Sequence, residues 1–145
     1  MKSLFKKVSL ASDHAGFNLK ERIKKFLIKK KIKVIDLGPK NNGSVDYPDY
    51  AKKAARNVLS KKSNVGILVC GSGTGMAMSA NKFKKIRAAV CYNQASTSLS
   101  RKHNDANILA LGSRLIKNST ALKLVNIFLS TKFEGGRHLR RVKKV

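Results

Sequence analysis

One cysteine, three glycines and two hydroxyl residues stand together at Cys70-Gly71-Ser72-Gly73-Thr74-Gly75, directly after an apolar run over 65–69. A thiol becomes a strong base or nucleophile once ionised, and helix N-termini or nearby cations favour the ionised form. Glycines at alternate positions let the chain turn tightly and aim backbone N–H groups into one small space. A helix opening from that turn adds its positive end to the same space. The chemistry suggested is a sulfur base or nucleophile at the rim of an anion-binding nest. The other reading is a small buried hydrophobe, which free cysteines usually are. This stretch alone leaves both open.

The chain has three histidines, His14, His103 and His138, all in turn-like or terminal positions beside Asp13, Asn104, Arg137 and Arg141. No histidine pair has i, i+3 or i, i+4 spacing within one helix, and the candidate thiol is single, so no metal is expected. Arg137 and Arg141 are four apart; on a helical tail they would share a face and clamp a phosphate. On composition alone, the tail reads equally well as a solvated basic end. The glycine loop is not G-x-G-x-x-G, no acidic residue sits where a ribose partner should, and there is no Walker lysine. A dinucleotide is not implied.

These residues need a scaffold that delivers them together. Short apolar runs at 8–11, 32–37, 65–70, 86–91 and 107–111 read as strands. Between them lie helical stretches. From Asn18 onward, Leu19, Ile23, Phe26 and Leu27 form one face, while Lys20, Glu21, Arg22, Lys24 and Lys25 are expected to face solvent. A second helix starts at Asp46-Tyr47-Pro48-Asp49, with Ala51, Ala54, Ala55, Val58 and Leu59 inward. A helix-compatible run follows Gly75, another spans 93–102, and the last spans 121–129 with Leu122, Val125 and Leu129 on one face. Alternating strands and helices argue an α/β fold, a doubly wound, Rossmann-like five-stranded parallel sheet with helices on both faces. Ligands in such sheets bind beyond the C-terminal strand ends, near the switch in strand order. That rule puts Asp13, His14, Cys70 and the glycine loop at one edge.

Residues 1–145 read as one domain, with no repeat, linker or low-complexity segment. Two distant cysteines suit a reducing, cytoplasmic setting, and no apolar run approaches the ~20 residues of a membrane span. The 32 Lys+Arg against 7 Asp+Glu give a net charge of +25, but 24 of the cations are lysines spread along the chain. Aromatic residues are few and not interleaved with that charge, as a single-strand-binding surface requires. The charge reads as a solvated surface that steers anions inward, without nucleic acid or membrane as partner.

Five motifs occur in order along nearly the whole chain: residues 12–17 (SDHAGF), 46–48 (DYP), 70–75 with 80–82 (CGSGTG…ANK), 100–107 (SRKHNDAN) and 134–138 (EGGRH). Together they resemble the ribose-5-phosphate isomerase B family, which includes the galactose-6-phosphate isomerase subunits. The resemblance implies a Rossmann-like sheet, a homodimer or pair of dimers, and aldose–ketose isomerisation of a sugar phosphate through an enediolate, without metal, nucleotide or other cofactor. It assigns Cys70 as the base. Some relatives carry a glutamate directly after the last loop glycine; here that position is Met76, which cannot take a proton.

By the same resemblance His103 opens the sugar ring with Asp13 assisting, and Asn104 holds sugar hydroxyls. Tyr47 lines the pocket, and the phosphate meets Arg137 and Arg141, with His14, Arg114 and His138 as further candidates. The basic tail, 133–145, is expected to reach the partner subunit. The amides of Gly71, Gly73 and Gly75 and the Ser72 hydroxyl would face the enediolate oxygens, where one such donor is typically worth about 2.7–4 kcal/mol of barrier. The hydroxyl of Thr74 is left without a purpose. Alternatives are isomerisation of a 6-phosphohexose such as galactose or allose 6-phosphate, a sugar-phosphate sensor on the same fold, and, remotely, a basic nucleic-acid-binding protein.

Overall fold

The computed structural model describes residues 1–145. The apolar runs form strands β1 (Lys7–Ser12), β2 (Lys33–Asp36), β3 (Val65–Cys70), β4 (Ala88–Val90) and β5 (Ile108–Gly112). Helices α1 (Phe17–Lys29), α2 (Tyr47–Leu59), α3 (Thr74–Ala80), α4 (Gln94–Lys102) and α5 (Asn118–Ser130) alternate with them, and α6 (Arg137–Val142) follows in the tail. The strands share one sheet in the order β2-β1-β3-β5-β4, every neighbouring pair parallel. After β1 the chain builds outward to β2; after β3 it builds the other way. The switch in strand order therefore lies between β1 and β3, where such sheets bind ligands.

All six residues of β3 are buried, and their alternation divides them between two cores. Val65, Ile67 and Val69 pack with Leu19, Ile23 and Leu27 of α1 and with Leu124, Val125 and Phe128 of α5. Leu68 and Cys70 face the opposite side, with Ala51, Ala54 and Ala55 of α2 and Met76, Ala77 and Ala80 of α3. The period-two backbone of a strand forces this division. The alanines of α2 let that helix lie close to the sheet. No helix is long and apolar enough to cross a membrane.

Four expectations are corrected. Lys20 is fully buried, not solvated: its Nζ lies 2.9 Å from Asp36 Oδ1 at the end of the edge strand β2 and 2.8 Å from Glu21 Oε1. It sits at the border of the apolar stripe of α1, where a lysine can lay its stem on the sheet and carry its head to a carboxylate. Leu59, expected inward, is the last residue of α2 and is exposed. In α5 the buried stripe runs through Leu124 and Phe128 as well as Val125 and Leu129, and Leu122 is half-buried at its margin. The fourth strand is shorter than the run 86–91, although Cys91 N–H still donates to Ala110 O at 3.2 Å.

Candidate active site

At the C-terminal edge of the sheet, β1 delivers Asp13 and β3 delivers Cys70. The Asp13 N–H donates to Val69 O at 3.1 Å, and its Oδ1 accepts from the Gly16 amide at 3.0 Å. His14 follows, and its Nδ1 accepts from the Val45 amide at 3.3 Å, so the free proton of a neutral ring sits on Nε2. Cys70 Sγ accepts from the Gly73 amide at 3.1 Å. That turn needs Gly73 to adopt φ +80°, a left-handed conformation that costs other residues strain. The thiol is tucked beneath the loop, with 5% of the residue exposed.

The loop is clamped from both sides. Ser113 N–H donates to Cys70 O at 2.8 Å and Arg114 N–H to Gly71 O at 3.1 Å, so the end of β5 fixes the start of the turn. The Tyr47 ring lies against Gly75, where a Cβ would come within 2.6 Å of Cε1, and the Arg114 guanidinium lies 3.2 Å from where a Gly71 Cβ would be. Ser72 and Thr74 are exposed, and Ser72 Oγ accepts from the Thr74 amide at 3.3 Å. Met76 is fully buried, in the same core as Cys70 and the inner face of α2.

The second group of residues gathers elsewhere. Helix α4, capped by Asn93 accepting from Ser96 N–H at 2.8 Å, runs back along the sheet and ends at His103. Its last turn is fixed by Arg101, whose Nη1 donates to Asp105 Oδ1 at 2.9 Å and Ala106 O at 2.6 Å. The Glu134 amide donates to Lys102 O at 3.0 Å and ties the tail to the same turn. As a result the rings of His103 and His138 stack, centroids 4.2 Å apart and 12° from parallel. Each Nε2 faces Glu134 Oε1, at 3.6 Å from His103 and 3.7 Å from His138. A cavity of about 580 Å³ opens beside them, lined by His103, Asn104, His138 and Arg141 together with Ile86 and Ala88 at the start of β4. Desolvation, then the neighbouring His103 and Arg137, hold the His138 imidazole below its ordinary pKa, with Glu134 opposing.

Asp13, His14, Tyr47, Gly71, Ser72, Gly73, Thr74, Gly75 and Arg114 thus share the Cys70 end. His103, Asn104, His138 and Arg141 share the other, with Arg137 on the same short helix but outside the cavity lining. The two groups lie at opposite edges of the sheet because α4 is antiparallel to the strands. One chain does not bring Cys70 and His103 together, and Cys70 lines neither of the two main cavities. The second of these, about 760 Å³, lies under the β2–α2 loop against Phe17, Lys24, Asp36 and Tyr50. Donor atoms of His103, Glu134 and His138 form one cluster, all within 4.8 Å of one another. The i, i+4 spacing of Glu134 and His138 was its only signal in the sequence.

Comparison with known proteins places this geometry. The Ribose/Galactose Isomerase family profile matches residues 8–145. Ribose-5-phosphate isomerase B of Escherichia coli is 43% identical over 140 residues, spanning 97% of this chain and 94% of that protein. A ribose 5-phosphate isomerase structure from Thermotoga maritima superimposes with a TM-score of 0.94 at 51% identity, covering 95% of each chain. The Mycoplasma genitalium ribose-5-phosphate isomerase B structure, with ribulose-5-phosphate bound, gives 0.91 at 42% identity over 95% of this chain and 92% of that one. Profile, sequence and fold agree from the first strand to the tail, and the chain belongs to the ribose/galactose isomerase family.

Proposed function

We propose that the protein interconverts ribose 5-phosphate and ribulose 5-phosphate through an enediolate, with Cys70 as the carbon base and His103 as the ring-opening acid–base. The carrying observation is the Gly73 amide aimed at Cys70 Sγ from 3.1 Å. It offers a donor to the anion formed when the thiol gives up its proton. His103 takes the proton from the anomeric hydroxyl and returns one to the ring oxygen, freeing the aldehyde. The Cys70 thiolate then removes the C2 hydrogen, the electron pair moves to the carbonyl oxygen, and the enediolate is held by loop amides and the Ser72 hydroxyl. A proton passes from O2 to O1, and return of the abstracted proton to C1 as the C2 carbonyl forms gives the ketose. Asp13, fixed by the Gly16 amide, faces the same edge and assists at the hydroxyls.

The opposite placement of Cys70 and His103 supports a homodimer in which each site takes its base from one chain and its ring opener from the other. Asn104, Arg137, His138 and Arg141 come with that second chain, so the 133–145 tail completes the partner's phosphate grip, opposite His14 and Arg114. Tyr47 walls the pocket by packing on Gly75. Two unpaired cysteines suit a reducing cytoplasm.

A coupled assay on ribose 5-phosphate, run beside galactose and allose 6-phosphate, tests the substrate. Cys70→Ala is expected to lower kcat by about 10²–10⁴-fold, the usual contribution of a general base, while Cys91→Ala keeps its turnover. Solvent exchange of the C2 hydrogen at the native rate without the sulfur would refute Cys70 as the base.

A further inference from the structure

Glu134 has no role in the isomerisation described above, yet it is the carboxylate on which two histidines converge. The distances of 3.6 and 3.7 Å from the two Nε2 atoms are too long for hydrogen bonds. Three donor atoms therefore face one another across a gap that none of them fills, at the mouth of a cavity open to solvent.

The geometry points to a reversible binding site for one divalent cation of the zinc class, held by His103, Glu134 and His138, whose occupation blocks the ring-opening histidine. Two imidazoles and one carboxylate form the donor set of open zinc sites, with a fourth position left for water or a substrate oxygen. Zinc-to-ligand distances of 2.0–2.2 Å imply donors about 3.4 Å apart in a tetrahedral shell. The two nitrogen–oxygen separations are already close to this, and the third lies within 4.8 Å. The remaining adjustment is a tilt of the rings out of their 12° stack, so that both lone pairs turn toward Oε1. His103 and Glu134 are free to make it, with side chains 40% and 50% exposed; His138, at 12%, is the fixed point. Paired imidazoles favour zinc, nickel, copper or cobalt over magnesium or calcium, which prefer oxygen donors. Arg137 and Arg141 oppose a cation, so the site is a reversible one.

The inhibitory half of this proposal rests on the isomerase reading; the binding half does not. Calorimetric titration of the metal-free protein with Zn2+, repeated with Co2+ to follow its visible absorption, tests binding directly. One equivalent per chain is expected. Outer-shell changes alone weaken metal sites by about 10–100-fold, so Glu134→Gln and His138→Gln should each weaken binding at least tenfold, while Cys70→Ser leaves it intact. No uptake at submillimolar Zn2+, unchanged binding in both ligand variants, or loss in Cys70→Ser would overturn the site. Zn2+ should also stop ribose 5-phosphate turnover, and a chelator should restore it; full turnover by the zinc-loaded protein would overturn the inhibitory role. A chain that binds zinc as described but never turns over ribose 5-phosphate would uphold the site and defeat the isomerase reading instead.

Discussion

His138 sits between a second imidazole, two arginines and one carboxylate. Desolvation and then His103, Arg137 and Arg141 disfavour its imidazolium, and only Glu134 favours it. Its titration midpoint should therefore fall below the ordinary value of 6.5. Since the unfolded chain then binds the extra proton first, this histidine costs stability as the pH drops below 6.5, and nothing above it. NMR titration of the ring protons checks this, and Arg137→Gln should move the midpoint upward; a midpoint at or above 6.5 in the native protein contradicts it. At this scale, Cys70 was readable because glycines punctuate the residues after it. The His103–His138 stack was not, because it depends on where residues 133–136 carry the tail, and no local pattern encodes that.

The elements were legible where periodicity is strong, as in β3 and the first turns of α1 and α2, and less so where a side chain crosses an element's border. Lys20 is the example: its position in the polar sector of α1 says solvent, while the neighbouring edge strand offers Asp36. Burial pushes the Asp36 carboxyl up, but hydrogen bonds from Lys24, Lys20 and the Gly38 amide outweigh it and leave it below its ordinary value. That contribution is complete above the unfolded carboxylate's value of about 3.9 and is lost as the pH falls through the lower folded value. Asp36→Asn strands a fully buried ammonium with Glu21 alone, and should cost about 3 kcal/mol. Lys20→Met removes that charge and leaves Asp36 its partner Lys24, so it should cost less than half as much. Urea melts of the two variants at neutral pH check the order, and Asp36→Asn should also show a shallower loss of stability in acid.

At the scale of the molecule, the sheet separates Cys70 from His103, the proposed base and ring opener, and a second copy is the simplest way to reunite them. Mixing Cys70→Ala with His103→Ala protein tests this. In a mixed dimer one site receives both intact residues and the other receives neither. Random re-association should therefore restore about a quarter of native activity from two inactive parents, as two-fold symmetry requires. If each chain completed its own site, the mixture would stay inactive. The strand order was readable only as a class, since alternation of strands and helices does not say which neighbour β5 chooses. The separation of Cys70 from His103 lay beyond periodicity altogether, because it depends on the direction in which α4 returns.

Both thiols are shielded, but by different amounts of structure. Cys91, 2% exposed, lies against the α4 serines and threonine in the larger core, and burial raises its pKa; Cys70 sits at the rim of the smaller core with the glycine turn folded over its sulfur. Each sulfur is therefore a built-in clock for a different kind of opening. An alkylating reagent should reach one whenever the turn flickers apart, at a rate indifferent to denaturant, and the other only when the whole fold lets go.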